Sequence, residues 1–408
     1  MDQLGNVSLR NLFLRHVAQT SPSPPMLEVE RAEGVFLYDT SSKRYFDFIS
    51  GISVSNVGHR HPYVIAAIQD QLNRYLHVMV YGEFIQNPQI KLATKLANIL
   101  PYPLDSVYFV NSGSEAVEGA IKLAKRITNR TEIVSFTNAY HGSSHGALSV
   151  MGNEFFKQAY RPLLPDVRIL PYNKEPELEH ITLRTACVIV ETFQGEAGAL
   201  IPNFDWLRNL RKRCNQTGTL LILDEIQTGF GRTGTMFAFE QAKIVPDILL
   251  IAKGMGGGLP IGAFIASRNH MQHLMHDPVL GHITTFGGNA LCCAAALATL
   301  EVILTENLIE HVEEKETLIR SLLIHPEILE IRGKGLLLAV EFGSVERSLA
   351  VMTNCFQLGL ITDWFLFADT CLRISPPLTI TLEQLREACA IFIQAIEESS
   401  TITIDSGK

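Results

Sequence analysis

The sequence predicts an α/β fold: a mostly parallel sheet sandwiched by helices, with a smaller α+β portion beside it. Three observations predict it. The short runs Leu220–Leu223 and Ile248–Ala252 are apolar at every position and end abruptly in charges, at Asp224-Glu225 and at Lys253. Such runs read as strands buried on both faces, the pattern of a parallel sheet. Similar runs alternate with helical patterns through the first 300 residues, as crossover units require. Beyond them the pattern changes, with helical stretches at 307–323, 346–358 and 381–397 interleaved with strands near 336–342 and 371–375. We therefore expect an N-terminal segment over 1–60, a large domain over 61–300 and a small C-terminal domain over 301–408.

The chain has 408 residues, 47% apolar and 19% charged, an ordinary globular balance long enough for two or three domains. A net charge of −8 with no basic run disfavours nucleic-acid binding. The seven cysteines form no Cys-x-x-Cys pair and no histidine cluster has zinc spacing, so free buried thiols, a reducing compartment and no metal site are expected. The N-terminus lacks the pattern of a signal peptide, and no stretch has ~18 consecutive apolar residues, so a cytoplasmic location without membrane contact is the expectation.

In order, residues 8–19 suit a short helix ended by Ser21-Pro-Ser-Pro-Pro25. Residues 26–49 alternate as about three strands of a small antiparallel meander. His59-x-His61 lacks supporting ligands and reads as part of a loop at the mouth of a site. Val64, Ile65, Ile68, Leu72, Tyr75 and Leu76 mark an amphipathic helix, and 88–99 another. The strand Val107–Val110 runs through Asn111-Ser-Gly-Ser-Glu115 into a helix reaching Ile127. This turn suits an anion, because free helix N–H groups and the hydroxyls of Ser112 and Ser114 converge there, and it suits a plain N-cap equally. The strand Ile133–Phe136 leads to Asn138-Ala-Tyr-His-Gly142, where the Tyr140 ring could stack on a flat ligand but is more often a packing residue in such a place.

Strands follow at Val167–Leu170 and Cys187–Val190, the second ending in Glu191-Thr-Phe-Gln-Gly-Glu-Ala-Gly198, and a helix covers 204–216. Asp224 and Lys253 end two buried strands, where open α/β sheets place ligands, and a lysine beside apolar walls can lose its proton and attack a carbonyl. A buried structural ion pair explains these two residues about as well. Glu225 alternates to the opposite face from Asp224 and supports it. A strand at Ala263–Ala266, the loop Gly281–Asn289 and an alanine-rich helix over 289–304 complete the large domain. Gly254-Met-Gly-Gly-Gly258 does not open a helix after a first strand, so it is no dinucleotide fingerprint.

Asp224-Glu-Ile-Gln-Thr-Gly-Phe-Gly-Arg-Thr-Gly234 and Ala252-Lys-Gly-Met-Gly-Gly-Gly-Leu-Pro-Ile-Gly-Ala263 closely resemble the two central motifs of class III pyridoxal-phosphate aminotransferases, the ornithine, acetylornithine and ω-amino acid group. Ser112-Gly113-Ser114, Tyr140-His141-Gly142, Glu191–Gly198, Thr284-Thr285-Phe-Gly-Gly-Asn289 and Leu372-Arg373-x-x-Pro-Pro377 match further motifs in the family's order. The resemblance implies a fold type I transferase with a seven-stranded sheet and pyridoxal 5'-phosphate as cofactor. It implies Lys253 as the lysine joined covalently to the cofactor and then moving a proton, with Asp224 paired to the ring nitrogen. Gln227 would reach the ring's phenolic oxygen, Tyr140 and His141 would border the ring, and Ser112, Gly113 and Ser114 would hold the phosphate. Thr285 would reach the phosphate of a neighbouring subunit, giving a homodimer with composite sites. Thr284, Glu196 and Arg373 would meet substrate, Arg373 gripping a carboxylate and Glu196 neutralising that arginine. The reaction implied is amino transfer from an ω-amino or diamino acid (ornithine, acetylornithine, lysine or 4-aminobutyrate) to 2-oxoglutarate in ping-pong order; an aminomutase, a decarboxylase and a non-catalytic binding protein are the alternatives. Where many relatives carry an arginine after His-Gly, this chain has Ser143, which weakens the ornithine and acetylornithine assignments.

Overall fold

A computed structural model describes residues 8–400. Its centre is a seven-stranded sheet in the order Ser106–Val110, Gly262–Ala266, Ile248–Ile251, Leu220–Asp224, Thr185–Glu191, Glu132–Phe136, Val167–Leu170. Gly262–Ala266 alone runs antiparallel to its neighbours; the other six strands point one way. Strand periodicity sends alternate residues to opposite faces. Ile189, Ile222, Leu250 and Phe264 fall in one apolar cluster, while Val188, Leu221, Leu249 and Ile265 fall in the other. Both faces are thus covered, which is why these strands are apolar throughout. The helix Gly113–Thr128 packs so close to one face that a Cβ on Gly119 would sit 2.3 Å from the Phe264 ring.

Two four-stranded sheets flank this core. Val29–Glu33, Phe36–Asp39 and Arg44–Asp47 form the expected antiparallel meander. A fourth strand, Leu360–Ile361, joins it in parallel with Arg44–Asp47, so the sheet is mixed. The other sheet runs Glu330–Lys334, Leu337–Glu341, Ala368–Ile374, Trp364–Phe365. The strands at 330–334, 360–361 and 364–365 were not expected: two have only two residues, and the burial of Glu330–Lys334 does not follow a clean alternation.

Helix ends differ from the expectations for local reasons. The first helix, Leu9–His16, stops where Val17 turns extended. Pro62–Leu72 ends before Tyr75 and Leu76. Asn307 adopts φ 51°, so the expected helix at 307–323 becomes a 3-10 turn followed by Val312–Leu322. The last helix, expected over 381–397, runs from Leu382 to Ser400; residues 401–408 lie outside the described residues. Among the described residues no single helix is long and apolar enough to cross a membrane. Six of the seven cysteines are buried free thiols, and Cys292 is half-buried. His59 pairs with Asp47 at 2.7 Å and His61 with Glu306 at 3.1 Å, and neither lines the main cavity described below.

Two buried charges tie these parts together. Arg232 is fully buried; it donates to Asn56 Oδ1 at 2.6 Å, to the Leu336 carbonyl at 3.0 Å and to the Pro376 carbonyl. Glu225 lies on the opposite face from Asp224, as alternation predicts. Its Oε1 accepts from Thr192 Oγ1 and Phe239 N, and its Oε2 from Thr228 Oγ1 and Ala238 N. Burial pushes its carboxyl up to about 7, against the pull of these donors. Either orientation of a glutamine amide here would set an NH2 against a backbone N–H. Glu225→Gln should therefore destabilise the fold by about 2–4 kcal/mol, read from denaturant unfolding. An unchanged unfolding midpoint would contradict this account.

Candidate active site

The main cavity, about 630 Å³, opens at the carboxyl edge of the large sheet. Five of the six parallel strands deliver a lining residue to it at or just beyond their ends: Ser106–Val110 leads to Ser112, Glu132–Phe136 to Tyr140 and His141, and Thr185–Glu191, Leu220–Asp224 and Ile248–Ile251 to Glu191, Asp224 and Lys253. Lys253 sits at φ 42°, a left-handed backbone that a non-glycine residue holds only where its surroundings fix it.

Burial depresses the basicity of the Lys253 amine; Glu196, Asp224 and Glu191 favour its charge, and Arg373 opposes it. Asp224 accepts at Oδ1 from Ile226 N at 3.0 Å, and its Oδ2 lies 2.7 Å from His141 Nδ1. One carboxylate is thereby locked by two partners. His141 Nε2 is buried with no partner. Glu191 accepts from Tyr140 N at 2.9 Å and Gly195 N at 2.8 Å, fixing two loops of the cavity wall. Burial, then the Asp224 charge, pushes its carboxyl up to about 8.

On the cavity wall, Ser112 caps the helix Gly113–Thr128, its Oγ accepting from Glu115 N at 3.2 Å. The first-turn amides of such a helix have no partner within it and carry the positive end of its dipole. Ser114 Oγ accepts from Ser144 N at 3.1 Å, which brings the Gly142–Ser144 loop onto this seat. The approach requires glycine: Gly142 has φ 125°, and a Cβ there would lie 2.2 Å from Ser114 Oγ. A lysine amine, a fixed carboxylate and an anion seat in one cavity fit a flat, phosphorylated aldehyde with a basic ring nitrogen.

The structure thus brings together Ser112, Gly113, Ser114, Tyr140, His141, Glu196, Asp224, Gln227 and Lys253 as lining residues. Gln227 has a partner the sequence did not suggest: its Nε2 donates to Glu196 Oε1 at 3.3 Å. Arg373 lies behind Glu196, its Nη2 donating to both carboxylate oxygens at 3.1 and 3.0 Å. Burial works against ionisation of Glu196, but Arg373 and Lys253 outweigh it and hold the carboxyl below its usual range. Thr284 and Thr285 do not line this cavity. Thr284 accepts from Asn111 Nδ2 at 2.9 Å and borders a separate cleft with Val80 and Tyr81, and Thr285 is exposed.

Sequence reasoning missed Glu191 and Asp363. The first was visible as a charge ending an apolar run, the signal that marked Asp224 and Lys253. The second, which accepts from Arg373 Nε at 2.9 Å, gave no such signal. Ser143 lines the cavity, with its Oγ 3.3 Å from the Tyr140 hydroxyl.

The comparisons with known proteins agree with this geometry. Residues 17–396 match the family model described as aminotransferase class-III. An acetylornithine aminotransferase of Methanopyrus kandleri is 40% identical over 372 residues, 90% of this chain and 93% of that protein. Among solved structures, the ornithine aminotransferase of Toxoplasma gondii superposes with a TM-score of 0.88 at 29% identity, covering 95% of this chain and 94% of that one. The adenosylmethionine-8-amino-7-oxononanoate aminotransferase of Methanocaldococcus jannaschii gives 0.87 at 30% identity, covering 95% and 99%. A lysine and a carboxylate at neighbouring strand ends, the order of the motifs and these likenesses agree: the chain belongs to the class III aminotransferases and is a transaminase.

Proposed function

We propose that this transaminase uses pyridoxal 5'-phosphate to move an amino group from an ω-amino or diamino acid to 2-oxoglutarate by a ping-pong mechanism. The observation that carries the reading is the placement of Lys253 and Asp224 at adjacent strand ends in a cavity whose wall also holds an anion seat. The cofactor, when bound, supplies the electron sink for amino transfer. The residues divide the remaining work. Gly113 and Ser114 at the helix start, with Ser112, would hold the phosphate, and Asp224, oriented by His141 and Ile226 N, would hold a proton on the ring nitrogen. Tyr140 would cover the ring. The Lys253 amine, its basicity lowered by burial, can carry a proton between substrate carbon and cofactor at neutral pH.

The Glu196–Arg373 pair supports a two-substrate reading. With the pair closed, Glu196 neutralises Arg373 and the cavity offers no free guanidinium, which suits a donor whose distal end brings an amine in place of a carboxylate. With Glu196 turned away, the guanidinium fork suits the α-carboxylate of a 2-oxo acid. The relatives are named for three different donors, and Ser143 adds no charge at the donor end, so we leave the donor at the level of ornithine, acetylornithine, lysine or 4-aminobutyrate. We further propose a homodimer in which Thr285 of each chain reaches the phosphate seat of the other. Exposed apolar residues at Leu72, Leu76, Phe84, Ile85, Ile283 and Phe286 support an interface there.

Lys253→Ala should lower amino transfer to 2-oxoglutarate by about 10³-fold or more and abolish the Schiff-base absorbance band that distinguishes the loaded wild type from free pyridoxal phosphate; retained turnover would overturn the assignment, and an aminomutase or decarboxylase would form no glutamate in the wild-type assay. Glu196→Ala should raise the ratio of kcat/KM for glutamate over that for ornithine by about tenfold, and a fixed ratio would refute the gating role. Sedimentation should give about twice 45.3 kDa, and Thr285→Val should weaken pyridoxal phosphate binding about tenfold without changing that mass. A monomer, or a variant that binds the cofactor as the wild type does, would rule out the composite site.

A further inference from the structure

We propose that Asp363 is a positioning residue that presents Arg373 to an incoming α-carboxylate and limits how tightly that carboxylate is held. The proposal rests on the reading of Arg373 given above and adds a second carboxylate to it. Arg373 Nε donates to Asp363 Oδ1 at 2.9 Å, Nη2 donates to Glu196, and Nη1 is buried with no partner. A carboxylate grips a guanidinium by two parallel N–H groups, along either the Nε–Nη2 edge or the Nη1–Nη2 end. Asp363 occupies the first edge.

Asp363 is also held independently of Glu196. It precedes the two-residue strand Trp364–Phe365, which pairs with the strand carrying Arg373, and the Arg373 N–H donates to the Asp363 carbonyl at 2.8 Å. The Phe365 ring lies 4.3 Å from the guanidinium carbon and fixes its plane. When Glu196 turns away, Asp363 stays, and the Nη1–Nη2 end is left for the ligand.

The same arrangement carries a charge consequence. Glu196 and Asp363 together put two negative charges against one positive charge. After Glu196 withdraws, Asp363 still compensates the arginine, so an arriving carboxylate meets a cation already neutralised once. Burial raises the Asp363 carboxyl, while Arg373 pulls it down, and Glu196 adds to the rise. The side chain is 25% exposed, so an amide in its place can keep the acceptor on Nε and turn its NH2 outward.

Asp363→Asn and Asp363→Ala separate the two roles. The probe is glutarate, a five-carbon dicarboxylate with no amino or keto group, titrated calorimetrically into the pyridoxal phosphate-loaded enzyme; KM for 2-oxoglutarate is measured alongside, and unfolding midpoints show that each variant is folded. Asp363→Asn keeps the orientation and removes the charge, so the glutarate Kd and the KM should fall about five- to tenfold. Asp363→Ala frees Nε and should bring no such gain, with Kd at or above the wild-type value. Equal effects of the two substitutions, or no tightening in Asp363→Asn, would overturn the proposal. Arg373→Lys distinguishes this failure from a deeper one. Unchanged glutarate binding in that variant removes Arg373 as the carboxylate site, whereas loss of binding there with neutral Asp363 variants removes Asp363 alone.

Discussion

The structure depends on keeping a set of ionisable groups out of water at one edge of a sheet. Glu191, Glu196, Asp224 and Arg373 are buried, and Lys253 is half-buried, in or directly behind one cavity. Each would be costly to bury without partners; Glu196 pairs with Arg373, Asp224 with His141, and Glu191 accepts from two backbone N–H groups. That balance dictates much of the surrounding chain. Five strands must end at the same level, the loops after them must turn inward, and glycines must stand wherever two loops meet at backbone distance. The apolar strands below supply the rigidity that such an arrangement needs.

Much of this was legible in the sequence because a buried parallel strand leaves a plain signature, an apolar run ending in a charge. That signature located Asp224 and Lys253 and, with the family's motif order, the cavity-lining residues Ser112–Ser114 and Tyr140. It also fixed the direction of Glu225, since one residue along a strand means the other face. What stayed hidden has short range or no pattern. Leu360–Ile361 and Trp364–Phe365 are two-residue strands with no periodicity to read. Asp363 matters through one contact to a side chain ten positions away, and Gln227 through a partner on another loop. Thr284 and Thr285, which a motif named, lie away from the cavity, and nothing in their spacing signals that.

The turn at Leu366–Phe367 links two parts of the site that the sequence treats separately. Leu366 N donates to Glu196 Oε2 at 3.2 Å, and Phe367 N to the Glu196 carbonyl at 3.0 Å. The Phe367 ring stands 6.4 Å from that of Tyr140 and 5.2 Å from that of Phe156. One turn therefore steadies the Glu196 carboxylate through its backbone and the cavity's aromatic wall through its ring.

The parallel pairing of Leu360–Ile361 with Arg44–Asp47 also has a bearing on synthesis. Phe46 N donates to the Gly359 carbonyl at 2.8 Å, Phe48 N to the Ile361 carbonyl at 2.9 Å, and Ser375 N to the Phe48 carbonyl at 2.6 Å. The strand Arg44–Asp47 thus takes its neighbour from a segment made much later in the chain. On the ribosome the opening meander waits, with an unpaired edge, while more than three hundred residues emerge and the central sheet assembles. Such an edge is open to wrong partners. Lys43 and Arg44 put two positive charges beside that edge, the kind of residue by which natural edge strands discourage wrong pairing.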